Sequence, residues 1–74
     1  MGNIIKLINI GSICRDFRIH LGYQQYHVAS AIGCSKELVS AFECGRDNNA
    51  VIFSWYIENG LESYMFERGL SFNG

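Results

Sequence analysis

The chain has 74 residues, of which 49% are hydrophobic, 14% aromatic and 18% charged, and its net charge is −1. A chain this short holds a single core and buries only about 60% of the surface it exposes when unfolded, which excludes a multi-strand enzyme with a deep substrate cleft. Eight glycines and no proline exclude a proline-rich linker or peptide ligand and favour helices punctuated by glycine.

In chain order, residues 1–9 form an apolar N-terminal arm (Ile4, Ile5, Leu7, Ile8). Its periodicity leaves a helical extension and a short pairing strand both open. Ile10, Ile13, Cys14, Phe17 and Leu21 recur at spacings of three and four, one apolar face of a helix that starts after Asn9 as its cap and stops at Gly22. A second, short helix fits Gln24 to Ile32, with Val28, Ala29 and Ile32 inward and Gly33 ending it. Ser35 caps a third helix, Glu37 sits favourably in its first turn, Leu38, Val39 and Phe42 form its apolar stripe, and Gly45 closes it. Residues 46–49 are a polar loop. A fourth helix covers Ala50 to Glu58 with Val51, Ile52, Trp55 and Tyr56 or Ile57 inward. The last segment, Leu61 to Glu67, places Leu61, Tyr64 and Met65 on one face and frays from Gly69. The expected architecture is all-α: one domain, residues 1–74, of about five short helices.

Catalytic and metal chemistry find no foothold in this pattern. Cys14, Cys34 and Cys44 are widely spaced and contain no C-x-x-C pair, so zinc-ribbon and thioredoxin-like motifs lack their spacing and no cofactor is implied. Three free cysteines suit a reducing cytoplasm. No Ser/His/acid or paired-carboxylate constellation emerges, so no enzymatic activity is expected. Leu7 to Cys14 follows Lys6 but runs into Arg15-Asp16 without a small-residue cleavage site, and position 6 is not the Ser or Thr that myristoylation wants. No stretch is long and apolar enough for a bilayer, and a cytoplasmic protein without membrane contact is expected.

Charge is unevenly distributed. Residues 1–46 carry five basic groups against three acidic ones, while residues 47–74 carry Arg68 against Asp47, Glu58, Glu62 and Glu67. An anionic partner would therefore meet the first two thirds of the chain. That region also holds two short helices joined through Gly33-Cys34, the arrangement in which one helix crosses the phosphate backbone and the next enters the major groove.

The residues at that turn carry a resemblance. Gly22 to Ser35, G-Y-Q-Q-Y-H-V-A-S-A-I-G-C-S, resembles the "G-L-T-Q-x-x-L-A-x-x-L-G-V-S" core of Cro- and lambda-repressor-like helix-turn-helix proteins. Lys36 to Arg46, K-E-L-V-S-A-F-E-C-G-R, is similar to that family's "x-x-x-I-S-x-[IW]-E-x-G-[RK]", and Ile10-Gly11 with Arg15 and Arg18 to its first-helix "I-G-x-x-I-R-x-L-R". The resemblance spans roughly residues 10 to 60. It departs from the pattern at Tyr23 and Gln24, which replace Leu and Thr and remove the usual hydroxyl cap of the second helix.

What the resemblance implies is a phage-type DNA-binding transcriptional regulator that binds double-stranded DNA as a homodimer, with two recognition helices about 34 Å apart on a pseudo-palindromic operator. It implies a partly buried ion pair between Arg18 on the first helix and Glu43 at the end of the third. It places phosphate contact at the start of the second helix, with Gln25 gripping through backbone N–H and side chain and Gln24 and Tyr26 beside it. Ser35, Lys36, Glu37, Ser40 and Ala41 fall where the family meets DNA with its recognition helix. Lys36 suits guanine, Glu37 the cytosine amino group and Ala41 a thymine methyl. Tyr26, His27, Arg46 and Asn48 flank the groove as backbone contacts. Residues 61–74, with Phe66, Leu70 and Phe72, are expected to cap the core or form the dimer contact. A second expectation runs beside this one: the acidic C-terminal third, the single recognition-helix lysine and the two apolar ends also suit a protein-interaction module on the same fold. Such a module would be a phage inhibitor of a host enzyme or an antitoxin-like partner of a host protein.

Overall fold

A computed structural model describes residues 10–70. The expected cap at Asn9, the N-terminal arm and Phe72 lie outside them. Five helices follow one another, α1 (Ile10–Leu21), α2 (Gln25–Ile32), α3 (Lys36–Glu43), α4 (Ala50–Glu58) and α5 (Leu61–Glu67), and no strand occurs among the described residues. The bundle is all-α, with α2 and α3 forming a helix-turn-helix at its centre.

The helix ends follow from local chemistry. Ser35 Oγ accepts the Leu38 N–H at 3.1 Å, and Asn49 Oδ1 accepts from Val51 N–H at 2.9 Å and Ile52 N–H at 3.0 Å, so side chains meet one orphan donor of the first turn of α3 and two of α4. Gly33 turns the chain out of α2 with φ of 75°, a left-handed conformation that a side chain disfavours. After α3, the Gly45 N–H returns to Phe42 O at 3.1 Å and the Arg46 N–H to Ala41 O at 2.8 Å, the paired bonds of a Schellman ending.

Every helix contributes to one core, made of Ile13, Cys14, Phe17, Val28, Ala29, Val39, Phe42, Ile52, Tyr56, Leu61 and Met65. At α4 the sequence leaves Tyr56 and Ile57 as alternatives, and Tyr56 is the one fully buried. Two expectations are corrected. Val51 was expected inward and is 59% exposed; Leu21, expected on the apolar face of α1, is 38% exposed. Nearly every α4 position is apolar, so periodicity cannot select its inner face, and Asn49 and the packing of Ile52 set the rotation instead. Leu21 is the last residue of its helix, beyond the layer that its neighbours cover.

The tightest approach in the fold lies between α1 and α3. A Cβ added at Gly11 would stand 2.2 Å from Phe42 O and 2.9 Å from Glu43 O. The backbone of α1 therefore lies directly on the C-terminal turn of α3, which only glycine permits. That contact fixes the tilt of the helix whose other face is the candidate interface.

Candidate nucleic-acid interface

Behind the helix-turn-helix sits a buried polar knot. Arg18 of α1 donates to both oxygens of Glu43 on α3, Nε to Oε2 at 2.8 Å and Nη2 to Oε1 at 3.0 Å. Gln25 Nε2, at the start of α2, donates to Oε1 at 3.1 Å, and the Tyr56 hydroxyl of α4 donates to Oε2. An ionised carboxylate offers about four lone-pair sites, and here each oxygen accepts twice. The remaining arm of Arg18, Nη1, donates to Tyr23 O at 2.8 Å, which holds the residue leading into α2. The knot therefore ties together α1, α2, α3 and α4 at the place where the two central helices meet.

The electrostatics follow from this geometry. Burial alone would push the Glu43 carboxyl up, but the hydrogen bonds from Arg18, Tyr56 and Gln25 and the charge of Arg18 outweigh it and hold Glu43 below its ordinary 4.5. Burial, and after it the negative charge of Glu43, pushes the Cys14 thiol up from 9.0 to about 12. Burial, then the hydrogen bond to Glu43 and the charge of that carboxylate, raise Tyr56 above its ordinary 10.0. Cys14 is thereby a buried thiol without nucleophilic character, while Cys34 is half-buried and Cys44 exposed; all three are free.

All but Gln25 of the residues expected to meet DNA lie outside this knot. Gln24, Tyr26, Ser35, Lys36, Glu37, Arg46 and Asn48 are exposed, and Gln25, Ser40 and Ala41 are half-buried. Glu37 and Ala41 lie on the face of α3 opposite Val39, Phe42 and Glu43, with Ser40 beside them and Lys36 toward one edge. Ser35 has already used a lone pair of its hydroxyl as the α3 cap, which leaves its O–H as a donor. Gln25 is divided: one amide hydrogen goes to Glu43, and the other, with its backbone N–H at the first turn of α2, remains for a ligand. Asn48 makes no side-chain bond among the described residues.

The missing hydroxyl cap of α2 has a replacement that the sequence reading did not identify. His27 Nδ1 accepts the Gln24 N–H at 3.2 Å, a role usually taken by Glu or Gln three residues after the cap. The bond fixes the proton of a neutral His27 on Nε2. The ring stacks on Tyr26 with centroids 4.5 Å apart and meets Tyr23 at 5.5 Å, which in turn packs against Trp55 at 5.9 Å. The capping spacing from Gln24 to His27 was the signal available in the sequence.

Cations at the surface are few. Arg18 is buried, Arg68 lies over the Tyr64 ring at 4.3 Å, and Arg15 is 3.8 Å from its neighbour Asp16. Lys36 and Arg46 are exposed and make no ion pair among the described residues. No group of three or more His, Cys, Asp or Glu among those residues could hold a metal, and no helix there is long and apolar enough to cross a membrane. No protein-family model, curated protein or solved structure matches the chain.

Proposed function

We propose that this chain is a sequence-specific regulator that binds double-stranded DNA, similar to phage Cro and repressor proteins, and acts in the cytoplasm as a homodimer without an enzymatic site. The observation that carries the reading is α3: a short helix locked from behind by the Arg18–Glu43 knot, with Glu37, Ser40 and Ala41 on its free side and exposed Lys36 at the edge. A rigid helix with small and polar side chains outward fits a major groove, and α2 beside it offers first-turn N–H groups and Gln25 to a phosphate. Regulation on this reading is steric or by recruitment at an operator with two half-sites.

Fluorescence anisotropy against random-sequence duplex, titrated at low and then moderate salt, tests it. Binding that weakens steeply with salt, with a symmetric sequence enriched in the bound fraction, is the expected result, because contacts to phosphate release counterions. Absence of binding at low salt would overturn the reading.

A second reading has its own observation. Phe66 on α5 is 84% exposed, with Glu62 and Glu67 on the same short helix also exposed, and α4 and α5 together contain no basic residue. Such a face suits a protein partner, a host enzyme among the classes, and repels DNA. Stoichiometric co-purification with a host protein whose binding resists salt, in a preparation that binds no duplex, would favour it over the first.

A further inference from the structure

The buried side chains of α3 are Val39, Phe42 and Glu43, with Leu38 half-buried. At about 100° per residue the pole opposite them falls at Glu37, with Ser40, Ala41 and Cys44 around it and Lys36 toward one edge. The centre of the outward face is thus a carboxylate. Glu37 is exposed and makes no hydrogen bond or ion pair among the described residues. In the free protein the positive end of the α3 dipole favours it. Near DNA every phosphate opposes it.

We infer that Glu37 is the specificity-determining residue of the interface and that it acts by penalty, admitting cytosine and rejecting other bases at one position of each half-site. The inference rests on the DNA-binding reading above. A carboxylate can only accept hydrogen bonds, and the donors in the major groove are the amino groups of cytosine N4 and adenine N6. Adenine sets its N7 acceptor beside N6, so part of the carboxylate faces another lone pair. Cytosine has no acceptor on its own major-groove edge. Guanine and thymine offer only acceptors, and each leaves Glu37 desolvated and unmatched. Lys36, the preceding residue, supplies the donor that guanine O6 and N7 require. Affinity and specificity therefore separate at this residue: Glu37 weakens binding to DNA in general and confines what remains to sites with cytosine in the right place.

The test compares Glu37→Gln with the parent, both verified as folded by circular dichroism and thermal midpoint. Each is titrated against random-sequence duplex at low and moderate salt, and the bound DNA is sequenced. Glu37→Gln is expected to bind random duplex roughly threefold or more tightly at low salt, with the gain shrinking as salt screens the charge. Its enriched sequences lose cytosine at one position per half-site and turn to adenine, which a glutamine amide reads through two bonds, while other positions keep their preference. Weaker binding of the variant to random duplex, or the same base enriched at every position by both proteins, would overturn the inference alone. A parent that binds no duplex at low salt would overturn the DNA-binding reading, and this inference with it.

Discussion

Helix α3 carries two glutamates in opposite circumstances. Glu43 is 3% exposed and accepts from Arg18, Gln25 and Tyr56 until both oxygens are fully engaged. Glu37 is exposed and has no such partner among the described residues. Residue type alone says nothing about which carboxylate holds the fold and which is free to meet a ligand; the helical register decides it. A carboxylate saturated inside the protein has no capacity left for an outside donor, and an unmatched one on the surface has all of it. The inner side of α3 is therefore structure, and its outer side is where any recognition chemistry must act.

The comparison breaks most visibly at the inner side. Glu43→Ala leaves Arg18 as a buried, unpaired cation, and Arg18→Ala does the converse, each with an expected loss of about 3–5 kcal/mol. A single core in a chain this short rarely supplies more than about 3–5 kcal/mol, so urea denaturation should find both variants largely unfolded or close to it. A loss below about 1 kcal/mol would show that the knot is not a fixed part of the fold. Gly11→Ala attacks the same turn of α3 from the α1 side. Alanine is the better helix former, yet its Cβ meets the Phe42 and Glu43 backbone, and the expected overpacking loss is about 3 kcal/mol. A neutral or stabilised Gly11→Ala protein would mean that α1 can slide away from α3 at no cost.

Acid and base sharpen the same contrast. Because Glu43 lies below its ordinary 4.5 in the folded protein, its contribution is complete above that value and is lost as the pH falls through 4.5 toward the folded value. Thermal midpoints should therefore decline on acidification below about pH 5, and Glu43→Gln should flatten that limb. On the alkaline side Cys14 is pushed up from 9.0 to about 12 and Tyr56 stands above 10.0. Both are kept protonated by the fold, so their contribution is present below the unfolded values and disappears as the unfolded chain ionises at rising pH. A Glu43→Gln protein with an acid limb as steep as the parent's would locate the acid sensitivity elsewhere.

Tyr56→Phe is a smaller cut at the knot. It removes one donor to Glu43 Oε2 and leaves the ring packed on Phe42, whose centroid lies 6.0 Å away, and it should cost about 1–3 kcal/mol in chemical denaturation. Its place in the knot was not legible in the sequence. The helices were, because Gly22, Gly33 and Gly45 and the Ser35 cap mark their ends locally, and the side chains at i, i+3 and i+4 mark their inner faces. The Arg18–Glu43 pair was accessible only through family resemblance, since its partners stand on separate helices 25 residues apart in sequence. Tyr56 and the inward bond of Gln25 depend on how α4 and α2 are rotated against α3. The apolar run of α4 carries no such phase, which is also why Val51 was misplaced. Gly11 looked like part of a motif, and its reason, a backbone approach across helices, exists only in three dimensions.

The smallest expected effect on stability belongs to the outer face. Lys36 is exposed and unpaired among the described residues, so Lys36→Ala should change folding stability by no more than about 0.5 kcal/mol. Against an enriched duplex the same variant should bind about tenfold more weakly, with discrimination relaxed at one position. Gln25→Ala separates the two sides of the comparison within one residue. It removes a donor from Glu43, at about 1 kcal/mol of stability, and it would remove the proposed phosphate contact, so that binding should weaken on all sequences alike. If Lys36→Ala destabilised the fold while leaving DNA selection intact, inner and outer sides of α3 would have been assigned in reverse. If both variants bound as the parent does, the free face of α3 would serve something other than a DNA groove, and the exposed Phe66 face of α5 would become the surface to probe next.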